Sequence, residues 1–136
     1  IRRIDRLLMA NIEDVNHLLK VMKQLRDPVK GCAWDLEQDH ISLIPYLKEE
    51  SQELIEAIKS KDSDNIKEEL GDVLLQVIFH SQIAHENKEF DFFDVVENLK
   101  QKLIRRHPYV FNKGKKHTIE EQTAMWKKIK RAEKGG

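Results

Sequence analysis

Cysteine is nearly missing from this chain of 136 residues: Cys32 stands alone, so no disulfide can form within it, and a reducing cytoplasm is the expected setting. Glycine and proline are scarce, five and three, which leaves few breakers of regular structure. No apolar run nears the ~20 residues that span a bilayer, and nothing reads as a signal peptide. There is no excess of either charge either. Lysine plus arginine and aspartate plus glutamate both number 24, so global charge argues neither for a nucleic acid polymer nor for an anionic membrane. Any electrostatic function has to come from local asymmetry.

What remains is a charged, helix-patterned sequence with 40% hydrophobic residues, sized for one domain with its own core. The whole chain, 1–136, reads as one all-α domain, with residues 1–10 set apart as a flexible or added N-terminal segment. Ile12, Val15, Leu18, Leu19, Met22 and Leu25 recur at helical spacing and predict a first helix over 11–26, capped by Asn11. Pro28 and Gly31 end it. The stretch 27–40 reads as an irregular loop, yet it holds Trp34. A second helix is expected over 43–60, with Pro45 in its first turn and Leu47, Leu54, Ile55 and Ile58 as its apolar face. A third, over 65–87, contains "LGDVLLQVIF", apolar nearly all round, and reads as buried. A fourth is expected over 92–106. After the basic loop "NKGKKH", Thr118 and Glu121 form a capping box for a last helix that carries Trp126.

The acidic residues carry the chemistry. Glu50 and Glu53 lie three apart on the second helix, Glu69 and Asp72 three apart on the third, and that spacing places each pair on one helical face. The short "SKDSDN" makes the helices antiparallel neighbours, so the pairs can face each other. A carboxylate inside an apolar helix needs a cation. Four oxygen ligands with no thiolate suit a hard divalent ion such as Mg2+. For Glu49, Glu56 and Glu68, surface pairing with lysines explains the charge as well as any site does. A di-iron centre needs Glu-x-x-His on two helices, and the chain supplies it once, at Glu37 and His40. Lys102 and Arg106 share a face of the fourth helix and suit phosphate oxygens, although a helix C-terminus also favours such charges. Trp34 and Trp126 suit core packing as well as base stacking. Gly71 allows either a close helix approach or a site.

The order "GCAWD", "LKEESQELIEAI", "EELGDVLLQVIFH", "RRHPYVF", "WKKIK" resembles the MazG family over roughly residues 15–131. The match is to the first of two copies that many members carry. It departs at Ala33, where the loop usually has proline. The resemblance implies a helical subunit that completes its bundle by dimerising, as a homodimer or a dimer of dimers. It implies Mg2+-dependent hydrolysis of nucleoside triphosphates to monophosphate and pyrophosphate, with Mn2+ as a substitute. Glu50, Glu53, Glu69 and Asp72 correspond to the metal ligands, and Glu49 to a water-orienting group. Lys102, Arg106 and Lys130 correspond to residues that meet the triphosphate, and Trp126 to an aromatic beside the nucleotide. Trp34, with Lys30 and Asp35 beside it, keeps a ligand-binding role for its loop open. The alternatives are a narrower deoxynucleotide or phosphoribosyl-ATP pyrophosphohydrolase, and a non-catalytic dimerising or regulatory module.

Overall fold

The computed structural model describes residues 3–112 and 116–135, with the side chains of 3–10 left aside; residues 113–115 of the basic loop therefore lie outside the described residues. Among the described residues there are only helices: α1 Arg3–Leu25, α2 Ala33–Leu36, α3 Ile44–Ser60, α4 Ser63–Glu86, α5 Phe92–Arg106, α6 Pro108–Phe111 and α7 Ile119–Gly135. The chain divides into two compact units, Ile1–Phe92 and Phe93–Gly136.

In the first unit α3 and α4 are joined by Lys61 and Asp62 alone. Lys61 closes α3 in the left-handed region at φ 60°, and Asp62 caps α4 by accepting from the backbone N–H groups of Asp64 and Asn65. So short a connection leaves antiparallel neighbours as the only compact solution. Met22, Leu43, Ile78, Phe79 and Ile83 form the core, with Leu19 and Phe92 packed against it.

Three expectations need correction here. The first helix starts at Arg3, not near Asn11, because nothing between 3 and 11 breaks a helix. On α3 the packed face is Leu43, Glu50, Leu54 and Ala57, whereas Leu47, Ile55 and Ile58 lie exposed. Glu50 thus sits on the side of α3 that turns toward the fold while Glu53, one turn on, stays exposed at its edge, and the more hydrophobic stripe faces outward. The apolar middle of α4 is buried on one side only. Leu70 is 52% exposed and Leu74 42%, while Ile78, Phe79 and Ile83 are buried. Contiguous apolar surface of this kind is uncommon on isolated chains. Gly71 has open space where a Cβ would stand, so it serves no close helix approach among the described residues.

The 27–40 segment is more ordered than a loop. A Cβ on Gly31 would meet the Asp27 and Leu25 carbonyl oxygens at 2.5 Å, so the tight return after α1 requires glycine. Arg26, its side chain only 8% exposed, donates to the Asp35 and Gln38 carbonyls, pairs with Glu86 at 2.8 Å and lies over the Phe79 ring at 5.6 Å. The one arginine therefore ties α1, the Trp34 segment and α4 together. Ala33 opens α2 at a first-turn position where proline is also tolerated, so the departure from "GCPWD" breaks nothing locally.

His40, just before α3, stacks on His80 of α4 with ring centroids 5.0 Å apart and the two Nδ1 atoms at 2.7 Å. One ring donates its N–H and the other accepts, an arrangement that two imidazolium ions cannot keep. Burial, then the neighbouring His40, holds His80 below its ordinary value of 6.5. A depressed value means that the folded chain binds fewer protons than the unfolded one. The contribution is present above pH 6.5 and is lost as pH falls through the folded value. Thermal unfolding followed from pH 7.5 to pH 5 should show the wild type losing more stability than His80→Gln.

In the second unit α7 starts as its sequence predicts. The Thr118 hydroxyl accepts from the Glu121 N–H at 3.1 Å, and the Glu121 carboxylate accepts from the Thr118 N–H at 3.0 Å. Pro108 opens a short helix, α6, rather than ending the structure. Val96, Leu99 and Leu103, the second of them 52% exposed, give α5 a largely uncovered apolar face.

Candidate metal centre

The spacing of the acids on two antiparallel helices has the expected geometric result. Glu50 and Glu53 of α3 and Glu69 and Asp72 of α4 each offer a carboxylate oxygen, and these atoms all lie within 4.8 Å of one another. Helical periodicity puts the members of each pair on one face, the two-residue connection sets the pairs at the same level, and of the four only Glu53 is exposed. Among the described residues this is the one group of three or more potential ligands.

The electrostatics are those of a site built for a cation. Burial, then Glu53, Asp72 and Glu69, pushes the Glu50 carboxyl up to about 7, far from its ordinary 4.5. Glu69 is also raised, by burial first and then by Glu53 and Asp72. Glu50 Oε2 and Glu69 Oε2 are buried and have no hydrogen-bond partner. An unpaired buried carboxylate oxygen is costly, and among the described residues no lysine or arginine pairs with any of the four acids. Oxygen-only donors, orphaned lone pairs and mutual repulsion together fit a divalent hard cation. Glu49, the residue before the first pair, is exposed.

Near the cluster Tyr46 precedes Glu50 by one turn of α3, and Trp34 packs edge-on against it with centroids 5.3 Å apart and against Phe79 at 6.4 Å. Trp34 remains 47% exposed, so it is a wall residue with a free face and not a core residue.

The remaining candidates lie in the second unit. Lys102 and Arg106 are both half-buried and lie one turn apart on α5, as expected. Arg106 is already paired: its Nη2 stands 2.9 Å from Glu133, which Arg105 also contacts. These two arginines, Arg106 first, pull the Glu133 carboxyl down to about 2. The Arg106 Nε is buried without a partner. Sequence reasoning missed Glu133, because nothing in the spacing joins α5 to the end of α7. Trp126 is half-buried, donates its indole N–H to the Tyr109 hydroxyl at 3.1 Å and meets His107 edge-on at 5.3 Å. His107 itself bonds to the Leu103 carbonyl at 2.6 Å and ends α5. Lys130 is exposed.

Comparison with known proteins bears on this arrangement directly. Residues 38–111, more than half of the chain, match the model of the MazG nucleotide pyrophosphohydrolase domain. The chain belongs to the MazG family. The matched segment contains all four clustered acids together with Lys102 and Arg106. The Thermotoga maritima nucleoside triphosphate pyrophosphohydrolase/pyrophosphatase MazG is 52% identical over 118 residues, 87% of this chain and 44% of that protein. The nucleoside triphosphate pyrophosphohydrolase of Escherichia coli K12 is 42% identical over 123 residues, 90% of this chain and 47% of that protein. This MazG domain thus spans about half the length of those relatives. The crystal structure of a MazG-related protein from Thermotoga maritima superposes with a TM-score of 0.66 at 25% identity, over 82% of this chain and 97% of that one. The all-helical architecture of this MazG domain is thereby matched in a solved structure.

Proposed function

We propose that this MazG domain, acting as one domain over the whole chain, hydrolyses nucleoside triphosphates to nucleoside monophosphate and pyrophosphate in the cytoplasm. The observation that carries the proposal is the four-carboxylate cluster, two of whose oxygens are buried and unpaired. Glu50, Glu53, Glu69 and Asp72 would hold Mg2+, with Mn2+ as a substitute. A divalent ion there supplies neutralisation of the charge that develops on phosphate oxygens during phosphoryl transfer. Without it, four acids would repel a triphosphate, so binding as well as turnover requires metal. Glu49, next to the first pair and open to solvent, orients the water that attacks phosphorus in line. Lys102 and Arg106 hold phosphate oxygens, with Arg106 exchanging part of its contact with Glu133 for the ligand. Trp126, Lys130 and Trp34 serve as nucleotide-contacting residues in this reading. The relatives named for this activity support the reading.

A screen of ribo-, deoxy- and damaged nucleoside triphosphates with Mg2+, scoring pyrophosphate against orthophosphate, tests it. Pyrophosphate release from several triphosphates is expected. Orthophosphate as the only product, or no turnover with any substrate at saturating Mg2+ or Mn2+, rules the activity out. Selectivity for deoxynucleotides or phosphoribosyl-ATP alone would narrow it.

The uncovered apolar faces of α4 and α5 support a homodimer or a dimer of dimers, in which a second copy completes the helical bundle. Light scattering at micromolar concentration should give at least twice the 16.1 kDa chain mass. A fully active monomer would rule the assembly out.

A further inference from the structure

Buried polar atoms without partners mark places where the isolated chain is incomplete. Among the described residues four side-chain atoms stand in that condition: Glu50 Oε2, Glu69 Oε2, Gln76 Oε1 and Arg106 Nε. Three of them are acceptors on α3 and α4. Two belong to the carboxylate cluster and are accounted for by a cation. Gln76 is not accounted for. It is only 6% exposed, and its carbonyl oxygen has no donor. Gln76 follows Asp72 by four residues, so it lies on the same face of α4, about 6 Å further along the axis. Tyr46 occupies the equivalent step on α3, four residues before Glu50, with Trp34 against it. The orphaned amide therefore lies on the strip of α4 that continues the metal-ligand face toward the aromatic residues. A leucine would fill the same volume without an unsatisfied acceptor, so the amide stands there at a cost to stability.

The missing partner must be a hydrogen-bond donor. Phosphate oxygens are acceptors and cannot serve. In a nucleotide the sugar is joined to the α-phosphate through the 5′ ester oxygen and one methylene, which sets its hydroxyls at a distance from the phosphorus comparable with about one helical turn. We propose that the Gln76 side-chain carbonyl accepts a hydrogen bond from a sugar hydroxyl of the nucleotide whose phosphates the carboxylate cluster engages. The inference rests on the triphosphate reading above and assigns its sugar subsite. It makes Gln76 a determinant of sugar selectivity.

The test pairs a change in the protein with a change in the ligand. Gln76→Leu removes the acceptor and keeps the volume, and Gln76→Met serves if leucine does not fold. Affinity for non-hydrolysable ribo-, 2′-deoxy- and 3′-deoxynucleoside triphosphates is measured with Mg2+, alongside thermal unfolding of each protein. Wild type should lose about tenfold in affinity when the hydroxyl that donates is removed, and which deoxy ligand shows the loss identifies the hydroxyl. The variant should bind the parent ribonucleotide about tenfold more weakly, show no preference between ligands with and without that hydroxyl, and unfold at the same or a higher temperature. An unchanged sugar preference in the variant overturns the assignment. So does an equal loss for all three ligands accompanied by earlier unfolding, which would make Gln76 structural. Weaker Mg2+ binding by the variant without nucleotide would make the amide a metal ligand and overturn it too. Wild-type protein that binds none of the triphosphates would instead defeat the reading on which the inference stands.

Discussion

Asp72→Asn should lower pyrophosphate release by two or more orders of magnitude in saturating Mg2+ while the helical circular dichroism stays unchanged. The substitution keeps size and shape and removes one negative charge from a cluster whose oxygens lie within 4.8 Å of one another. Removing a single transition-state contact to developing charge typically costs about a hundred- to a thousandfold, and a metal ligand is at least as demanding. The fold has little reason to suffer. Burial first, and then the neighbouring acids, push the Glu50 carboxyl up to about 7, so an amide at one position removes part of that repulsion in the metal-free protein. Thermal unfolding without metal should therefore be unchanged or improved, and the stabilisation on adding Mg2+ should shrink. Glu53→Gln should behave in the same way. Near-native turnover by Asp72→Asn in saturating Mg2+ would remove these acids from the mechanism.

Arg106→Ala should weaken triphosphate binding about ten- to a hundredfold and monophosphate binding far less. Charge-assisted contacts are worth about 1.5–3 kcal/mol, and only the triphosphate presents the outer phosphates that this residue would hold. The ion pair with Glu133 gives a control within the structure. Glu133 stands 2.9 Å from Arg106 and is the group with which a phosphate would compete. Glu133→Gln should therefore leave triphosphate affinity intact or raise it, while Arg106→Ala lowers it. Truncation before Thr118 removes Trp126 and Lys130 together and should weaken both ligands. Equal losses for mono- and triphosphate in Arg106→Ala, measured by calorimetric titration with Mg2+ present, would make this arginine a structural partner of Glu133 and nothing more.

Much of this molecule is determined locally. The capping box at Thr118 and Glu121, the bounds of α5, the proline in the first turn of α3 and the antiparallel α3–α4 pair follow from interactions within a few residues, which neighbouring positions in a sequence specify directly. The shared face of Glu50 with Glu53 and of Glu69 with Asp72 is of the same kind, because a three-residue spacing on a helix is a statement about direction. Periodicity could not decide which apolar stripe would be covered. Leu47, Ile55 and Ile58 form as regular a face as Leu43, Leu54 and Ala57, and only the packing of α3 on α4 chose the second and carried Glu50 with it. Nor could it show that α4 is covered on one side, since an all-round apolar helix is compatible with any number of neighbours. The contacts that join distant segments, Arg26 to Glu86, His40 to His80 and Arg106 to Glu133, depend on where whole helices come to rest. Long-range pairing of this sort leaves no periodic trace, and for the same reason the orphaned carbonyl of Gln76 became visible only when the helices around it were in place.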